Sequence, residues 1–270
     1  MYKQAVIDLG PWSLSKAQTA VNCPYKFRKQ YIEKAKGSAE PKSSAGLIGT
    51  AVHKVLERAL KNKTVTDAFA EALVGDELTT VEKEDVKSFA HNVRAFCERM
   101  DKFKQQQKVT KTYVEHKFGL STDLEPVGFF DNSRVFFRGV WDLGMVTASK
   151  YVVIIDHKTG APQPIQKYQD QMWAYALSAL SIEPDLRGVQ PAIHFVGTEE
   201  IAWNKMINRG QIEADLIPWL GTFLEKAVAS AERGTPKKSW LCNFCQYIDI
   251  CPLVSSQKNA AQKDSPESGA

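Results

Sequence analysis

The 270-residue chain lacks a long apolar run, a signal segment and a nucleotide-triphosphatase loop. No stretch reaches the roughly 20 apolar residues of a membrane-spanning helix, and the opening residues MYKQAVIDLG contain no apolar signal-peptide core. Gly-x-x-x-x-Gly-Lys-[Ser/Thr] is missing, which excludes a motor of the P-loop type in this sequence. These absences favour an intracellular, cytoplasmic protein without a membrane partner.

Net charge is also small, since 35 Lys and Arg residues against 31 Asp and Glu residues leave +4. A mildly basic balance permits nucleic-acid binding but does not by itself argue for it. The distribution is more informative, because basic residues crowd the segments 26–42 and 102–117. Each run is either a nucleic-acid contact or a solvated helix face.

Cysteine is scarce and clustered. Of five cysteines, three form Cys242-x-x-Cys245-x5-Cys251, Cys23 lies near the other end, and Cys97 stands alone in a predicted helix. In a reducing cytoplasm this clustering predicts metal ligation before disulfides. There is a single Cys-x-x-Cys pair, whereas structural zinc sites usually take two.

Hydrophobic periodicity predicts helices in the first part of the chain and strands after them. This order predicts an α/β fold, a mixed central sheet flanked by helices, as a single domain over 1–255. Residues 60–105 would form a helical insertion, and the polar residues 256–270 a disordered tail. Residues 36–46 are predicted to be a loop, with a helix starting at Gly49. The predicted strands are 112–118, 135–146, 151–155, 190–196 and 201–206, and the later helices are 166–180 and 211–233.

The most informative stretch is an apolar strand, 152–155, that ends in Asp156-His157-Lys158. Alternate residues of a strand share a face, so Asp156 and Lys158 project together and His157 points away. A carboxylate and an ammonium at the end of a buried strand are costly unless they are paired or placed on an ion. An ion pair within the strand would explain this motif taken alone.

Three further motifs accompany it, each on a predicted element. They are Gly49-x-x-x-His53 on a helix, Gly139-x-x-Asp142 on a strand, and Gln171-x-x-x-Tyr175 on a helix. Taken alone, Gly139 and Gly160 would be ordinary turn glycines. In this order, over residues 49–175, the four motifs resemble the RecB-like branch of the PD-(D/E)XK nuclease superfamily. The resemblance implies a restriction-endonuclease-like core and an exonuclease that hydrolyses phosphodiester bonds of DNA.

The resemblance also implies a site for Mg²⁺ or Mn²⁺. Its implied ligands are His53, Asp142, Asp156 and the main-chain carbonyl of His157. Lys158 would orient the attacking water and stabilise developing charge, while Gln171 and Tyr175 would contact the substrate backbone or groups behind the ligands. Taken alone, His53 and Tyr175 would be core residues, and Glu115 is a strand carboxylate of uncertain role.

The cysteine trio resembles iron–sulfur members of the same superfamily, including nucleases of CRISPR spacer acquisition and a subunit of bacterial helicase–nuclease complexes. That resemblance implies Cys23 as the fourth ligand, with residues 242–251, of a [4Fe–4S] cluster that staples the two ends of the chain. Zn²⁺ is the alternative guest. A merely buried Cys23 is the remaining alternative.

The expected DNA contacts are Lys26, Arg28 and Arg138, the last on the strand face expected for Asp142. The expected function is metal-dependent DNA cleavage in recombination, repair or phage DNA processing, in a bacterial cytoplasm or that of a phage host. The partners would be single-stranded or duplex DNA ends and a separate helicase or recombination protein. The alternative is a catalytically inactive DNA-binding module of a larger complex, and nothing in the sequence distinguishes DNA from RNA.

Overall fold

Helices dominate the first part of the chain and strands follow, in a computed structural model that describes residues 2–38, 43–74 and 78–254. The helices are α1 Gln4–Asp8, α2 Leu14–Asn22, α3 Pro24–Phe27, α4 Ser44–Leu60, α5 Val65–Ala72, α6 Thr80–Ser88, α7 Ala90–Gln106, α8 Gln169–Ile182, α9 Arg209–Gln211 and α10 Ile217–Arg233. The strands are β1 Val109–Leu120, β2 Pro126–Val127, β3 Phe137–Thr147, β4 Tyr151–Lys158, β5 Gly188–Phe195, β6 Glu200–Trp203 and β7 Ile207–Asn208. The predicted tail at 256–270 lies outside the described residues.

The strands form one mixed sheet in the order β2-β1-β3-β4-β5-β6, with β7 also paired to β5. β1, β3 and β4 are antiparallel neighbours, whereas β4 and β5 run parallel. A parallel pair needs a crossover, and α8 supplies it. The predicted α/β class, a mixed sheet flanked by helices, is confirmed.

The chain divides into two compact units. Among the described residues, the first comprises 2, 10–14, 44–74 and 78–221 and contains the sheet, and the second comprises 3–9, 15–38, 43 and 222–254 and contains the cysteine motif. The single domain predicted over 1–255 stays a prediction. None of the described helices is both long and apolar enough to cross a membrane.

The core of the first unit fixes α4 against the sheet. Val52, Val55 and Leu56 recur at a helical period and are buried together with Leu143 and Ile155 of β3 and β4. Burying each such side chain contributes about 1.5–3 kcal/mol, so the helix has a preferred orientation. This packing determines where the polar residues of α4 lie.

The helix boundaries differ from the prediction at one informative place. α4 begins at Ser44, so Gly49 lies inside the helix and does not start it. A Cβ at Gly49 would lie 3.2 Å from Thr159 Oγ1, which means that the helix passes close to the segment after β4. Gly49 lets α4 lie close to Thr159, a role that hydrophobic periodicity in the sequence does not reveal.

The predicted helical insertion contains α5, α6 and α7. The ends of these helices follow ordinary capping chemistry: Thr64 caps α5, and Thr79 forms a capping box with Glu82 at the start of α6. Each cap satisfies backbone N–H groups that would otherwise lack partners.

β1 is interrupted at Glu115, whose φ is +49°. Regular pairing between β1 and β3 is present on both sides of Glu115 and Asp142 but not at these two residues. A left-handed backbone is unfavourable for a residue with a Cβ, and such outliers concentrate at functional sites. The strands keep the same register on both sides of this point, and the shared face of Arg138 and Asp142 stays a prediction.

Candidate active site

A cleft of about 580 Å³ opens beside the ends of the central strands. α4 contributes His53 and Glu57 to its lining, β1 contributes Glu115, and β4 contributes His157 and Lys158. The lining combines carboxylates, an imidazole and an ammonium.

His53 is placed in the cleft by α4 and points both nitrogens at polar atoms. Its Nε2 lies 3.0 Å from the main-chain oxygen of His157, and its Nδ1 lies 3.5 Å from Asp142 Oδ2 and 3.8 Å from Glu115 Oε1. Burial lowers the pKa of His53, but the neighbouring carboxylates raise it more, so the net shift is upward. In the metal-free chain His53 therefore holds its proton more tightly than an ordinary histidine.

Asp142 is buried, and its Oδ2 accepts a hydrogen bond from the His157 N–H at 2.7 Å. Burial, followed by the charge of Asp156, raises the pKa of Asp142 to about 7. Two buried carboxylates close together are poorly stabilised as anions unless a cation joins them.

The donor atoms also have the spacing of a metal site. Ligand atoms of His53, Glu115 and Asp142 all lie within 4.8 Å of one another. For bonds of about 2.1 Å, two neighbouring octahedral ligands are about 3.0 Å apart, and His53 Nδ1 lies 3.5 Å from Asp142 Oδ2 and 3.8 Å from Glu115 Oε1. The imidazole and the carboxylates therefore fit a divalent cation.

Glu115 is the site residue whose role sequence reasoning left undecided. Its carboxylate enters the cleft at the point where the left-handed backbone interrupts β1. The only signal in the sequence is a charged residue inside a strand, which is common on solvated faces.

Asp156 is held by α8 through the motif Gln171-x-x-x-Tyr175. Asp156 Oδ1 accepts hydrogen bonds from Gln171 Nε2 at 2.7 Å and from the Tyr175 hydroxyl at 2.8 Å. Gln171 Nε2 also lies 2.8 Å from the Tyr175 hydroxyl oxygen. Burial and the Asp156 charge raise the pKa of Tyr175 well above its ordinary value, so this phenol remains a neutral donor. Both α8 residues thus orient a carboxylate.

Lys158 pairs with the other oxygen of the same carboxylate, its Nζ lying 2.6 Å from Asp156 Oδ2. Burial lowers the pKa of Lys158, but Asp156 and Asp142 raise it more, so the net shift is upward. The ammonium is therefore a fixed positive charge at neutral pH, placed beside Asp156 by strand alternation as predicted.

The His157 side chain points away from the cleft into the core. Its Nδ1 lies 3.0 Å from Nδ1 of His194, and the Phe96 ring stacks on His194 with centroids 4.0 Å apart. Burial lowers the pKa of His157 well below its ordinary value and that of His194 to about 3, so both are neutral. Only the main chain of His157 faces the site.

The predicted DNA contacts belong to different units. Arg138 lies in the first unit, half-buried, with its guanidinium carbon 5.0 Å from the Phe129 ring centroid. Lys26 and Arg28 belong to the second unit, where Arg28 Nε donates to Glu33 at 2.8 Å.

Four cysteines gather within the second unit. Cys23, Cys242, Cys245 and Cys251 all line one cavity, whereas Cys97 lies on α7 of the first unit. The Ser239 N–H donates to Cys242 Sγ at 3.4 Å. These thiols do not form a group as close as that of His53, Glu115 and Asp142.

Hydrogen bonds also connect the two sequence segments of this unit. The Tyr25 hydroxyl donates to the Ile250 carbonyl at 2.6 Å, and the backbone N–H of Ser38 donates to the Gln246 carbonyl at 2.9 Å. These hydrogen bonds hold the segment around Cys23 to the segment around Cys251 independently of any metal bound by the cysteines.

The sequence profile of the PD-(D/E)XK nuclease superfamily matches residues 11–252. The chain belongs to the PD-(D/E)XK nuclease superfamily. No curated protein matches the chain.

Two solved structures are similar in part. A presumed exonuclease from Eubacterium rectale is 11% identical, with 90% of this chain and 86% of that one covered and a TM-score of 0.49. The structure of SSO0001 is 16% identical, with 74% and 84% covered and a TM-score of 0.34. Both likenesses are weak, so the family assignment rests on the profile match.

Proposed function

We propose that the protein is a metal-dependent DNA nuclease that hydrolyses phosphodiester bonds from DNA ends. The observation that carries the proposal is the convergence of His53, Glu115 and Asp142 beside the ion pair of Asp156 with Lys158. A structural ion pair alone would not need the additional buried carboxylate of Asp142 or an imidazole directed at it.

His53, Asp142, Asp156 and the His157 carbonyl would hold Mg²⁺ or Mn²⁺, with Glu115 close enough to join them. When bound, the ion would lower the pKa of a coordinated water and neutralise charge on the phosphate. Oxygen ligands suit Mg²⁺, and the imidazole makes Mn²⁺ equally acceptable.

The chain's own side chains orient this chemistry. Gln171 and Tyr175 fix one oxygen of Asp156 and leave the other facing Lys158. The Lys158 ammonium supplies a preorganised positive charge for a phosphate oxygen in the transition state. Since the pKa of Lys158 is raised, it acts as a cation and hydrogen-bond donor, not as a base.

The finer parts of the proposal are expectations from the sequence, most of them from its resemblance to RecB-like nucleases. They are exonuclease action, a preference for DNA, a cytoplasmic location, a role in recombination, repair or phage DNA processing, and a separate helicase or recombination protein as partner. The polar cleft with its fixed ammonium is compatible with any phosphodiester strand.

We further propose that the four-cysteine cavity holds a [4Fe–4S] cluster. All four cysteines line one cavity. Four thiolates are the ligand set of such a cluster, whereas structural zinc usually takes two Cys-x-x-Cys pairs and this sequence has one.

The nuclease proposal is tested with end-labelled DNA and anaerobically purified full-length protein in Mn²⁺, Mg²⁺ or EDTA. Asp156→Asn should lose more than about 100-fold of the cleavage rate, because it removes a ligand and the partner of Lys158. Asp185→Asn, the same change at an exposed carboxylate, should cleave like the unmodified protein.

Full activity of Asp156→Asn would contradict the metal site. DNA binding without cleavage by the unmodified protein under every metal condition would instead identify an inactive DNA-binding module.

A further inference from the structure

A pair of phenylalanines lies in the loop between β2 and β3. The rings of Phe129 and Phe130 meet edge to face with centroids 4.9 Å apart, and 72% of Phe130 is exposed. Single exposed apolar residues are common and need no explanation. What surrounds these two rings distinguishes them from the other exposed side chains.

Two cations lie over the rings. Lys117 Nζ is 5.8 Å from the Phe129 centroid and 5.4 Å from the Phe130 centroid, and the Arg138 guanidinium carbon is 5.0 Å from the Phe129 centroid. Lys117 pairs opposite Val140 and Arg138 opposite Gly119, so both cations project from the same face of the β1–β3 pair.

The charges of this region do not cancel. In the described part of the chain, neither Lys117 nor Arg138 forms an ion pair, while the nearby Asp131 is paired with Arg134 at 2.8 Å. Two positive charges and an exposed ring therefore remain together, and we call Lys117, Phe129, Phe130 and Arg138 the aromatic platform.

The aromatic platform is connected to the candidate active site by the same two strands. Arg138 precedes Asp142 by four residues on β3, and Lys117 follows Glu115 by two residues on β1. Four strand residues span about 13 Å, which equals roughly four nucleotide rises of 3.4 Å. A strand whose phosphate lies in the cleft can thus reach the platform with its next few nucleotides.

We propose that the aromatic platform stacks the bases of a single-stranded nucleic acid whose phosphate lies in the cleft. This inference rests on the proposed function and names how the substrate is held. Exposed aromatic rings stack bases of any sequence, and adjacent Lys and Arg side chains neutralise the phosphates between them. The combination of free positive charge with an exposed ring favours a polyanion with flat bases over a protein partner, whose interface core is depleted of charge.

The first experiment measures binding of a short labelled single-stranded oligonucleotide in EDTA, so that no cleavage occurs. Phe130→Ala and Phe130→Leu should each weaken binding by about 5- to 100-fold, because both remove the ring. Phe130→Tyr keeps the ring and should bind normally. Trp203→Ala removes an exposed aromatic side chain on β6 and should also bind normally.

The charge contribution is measured separately by salt dependence. Lys117→Gln should lower the slope of log affinity against log salt by about 0.7, the value for one phosphate contact on a single strand. Phe130→Ala should leave that slope unchanged.

The second experiment moves one abasic nucleotide along the oligonucleotide. At the nucleotide that stacks on Phe130, the losses of binding free energy caused by the abasic substitution and by Phe130→Ala should not be additive. Both changes remove the same stacking contact. Additive losses at every position would overturn the proposal, as would normal binding by Phe130→Ala or no binding by the unmodified protein.

Two outcomes distinguish base stacking on the platform from DNA hydrolysis and from self-association of the chain. Phe130-dependent binding by a protein that never cleaves DNA would refute the proposed hydrolysis and support the platform. A change of oligomeric state in Phe130→Ala, seen by light scattering with DNA binding unchanged, would assign the surface to a second copy of the chain and overturn the proposal.

Discussion

The two aspartates of the candidate site differ in what holds them. Asp156 accepts hydrogen bonds from Gln171 and Tyr175 and pairs with Lys158. Asp142 has a hydrogen bond from the His157 main chain and lies near the Asp156 charge, so its pKa is raised to about 7. Asp142 is thus the carboxyl group whose ionisation a cation would stabilise.

Metal affinity should therefore depend on pH. A carboxyl group with a pKa of about 7 is protonated below that pH and must lose its proton to bind a cation. His53, whose pKa is also raised, must do the same. We expect Mn²⁺ affinity to rise with pH through about 7 and to level off above it, measured by titration calorimetry.

The raised pKa of Asp142 also affects the stability of the folded protein. Because the pKa of Asp142 is raised on folding, this residue's contribution to folding is greatest below its unfolded pKa of about 4 and is lost as pH rises towards 7. Asp142→Asn should accordingly raise the metal-free melting temperature at pH 8 and remove the rise that Mn²⁺ produces. A Mn²⁺ affinity that does not change between pH 6 and pH 8 would contradict the role of Asp142 as a metal ligand with a raised pKa.

Glu115 gives a second prediction for a single residue. Glu115→Gln should weaken Mn²⁺ binding by about 10- to 100-fold, because its carboxylate lies among the ligand atoms and faces His53 Nδ1. Glu57→Gln is the matched control, since Glu57 lines the same cleft but pairs with Lys61. Equal Mn²⁺ affinities for the two variants would exclude Glu115 from the site.

At the scale of elements, β3 shows why the motif that ends in Asp142 contains a glycine. Gly139 lies within the strand and not in a turn, and a Cβ there would approach Phe118 Cζ to 2.6 Å. The turn interpretation from sequence is therefore wrong for Gly139. The glycine lets the Phe118 ring pack across the strand that positions Asp142.

Gly139→Ala should consequently destabilise the protein. Displacing a buried ring costs about 1–3 kcal/mol, which corresponds to a fall of roughly 2–4 °C per kcal/mol in melting temperature. Gly160→Ala is the control, because no atom lies within 4 Å of the added Cβ. Melting curves that coincide for the two variants would show that Phe118 yields without cost.

At the scale of the whole molecule, the four cysteines of one cavity come from parts of the chain that are more than two hundred residues apart. Cys23 on one side and Cys242, Cys245 and Cys251 on the other line this cavity of the second unit. The proposed cluster would close a long loop, which would restrict the unfolded chain and so stabilise the folded one.

Cys245→Ser should therefore lose both colour and stability. The iron–sulfide absorbance near ~400 nm should disappear, and the loss of the tie should cost of the order of 4 kcal/mol. Cys97→Ser, outside the cavity, should keep its colour and iron content. A colourless unmodified protein that contains zinc would replace the cluster with a single ion.

Much of the site can be predicted from short-range patterns. Strand alternation placed Asp156 beside Lys158 and turned the His157 side chain away, since side-chain direction along a strand depends on neighbouring residues alone. Hydrophobic periodicity likewise predicted α4 and the strands on either side of the site. The order of these elements was sufficient for the α/β class.

What required the tertiary structure depends on contacts between distant segments. Gln171 and Tyr175 bond to Asp156, and Glu115 joins His53 and Asp142, only because separate helices and strands meet. The left-handed backbone at Glu115 is a local feature that strand alternation does not predict. By itself the sequence determined which residue types carry the chemistry and on which elements they lie. Tertiary packing decided which carboxylates lie close together in the interior. The raised pKa of Asp142 follows from that packing, because burial and the neighbouring Asp156 charge exist only in the folded protein.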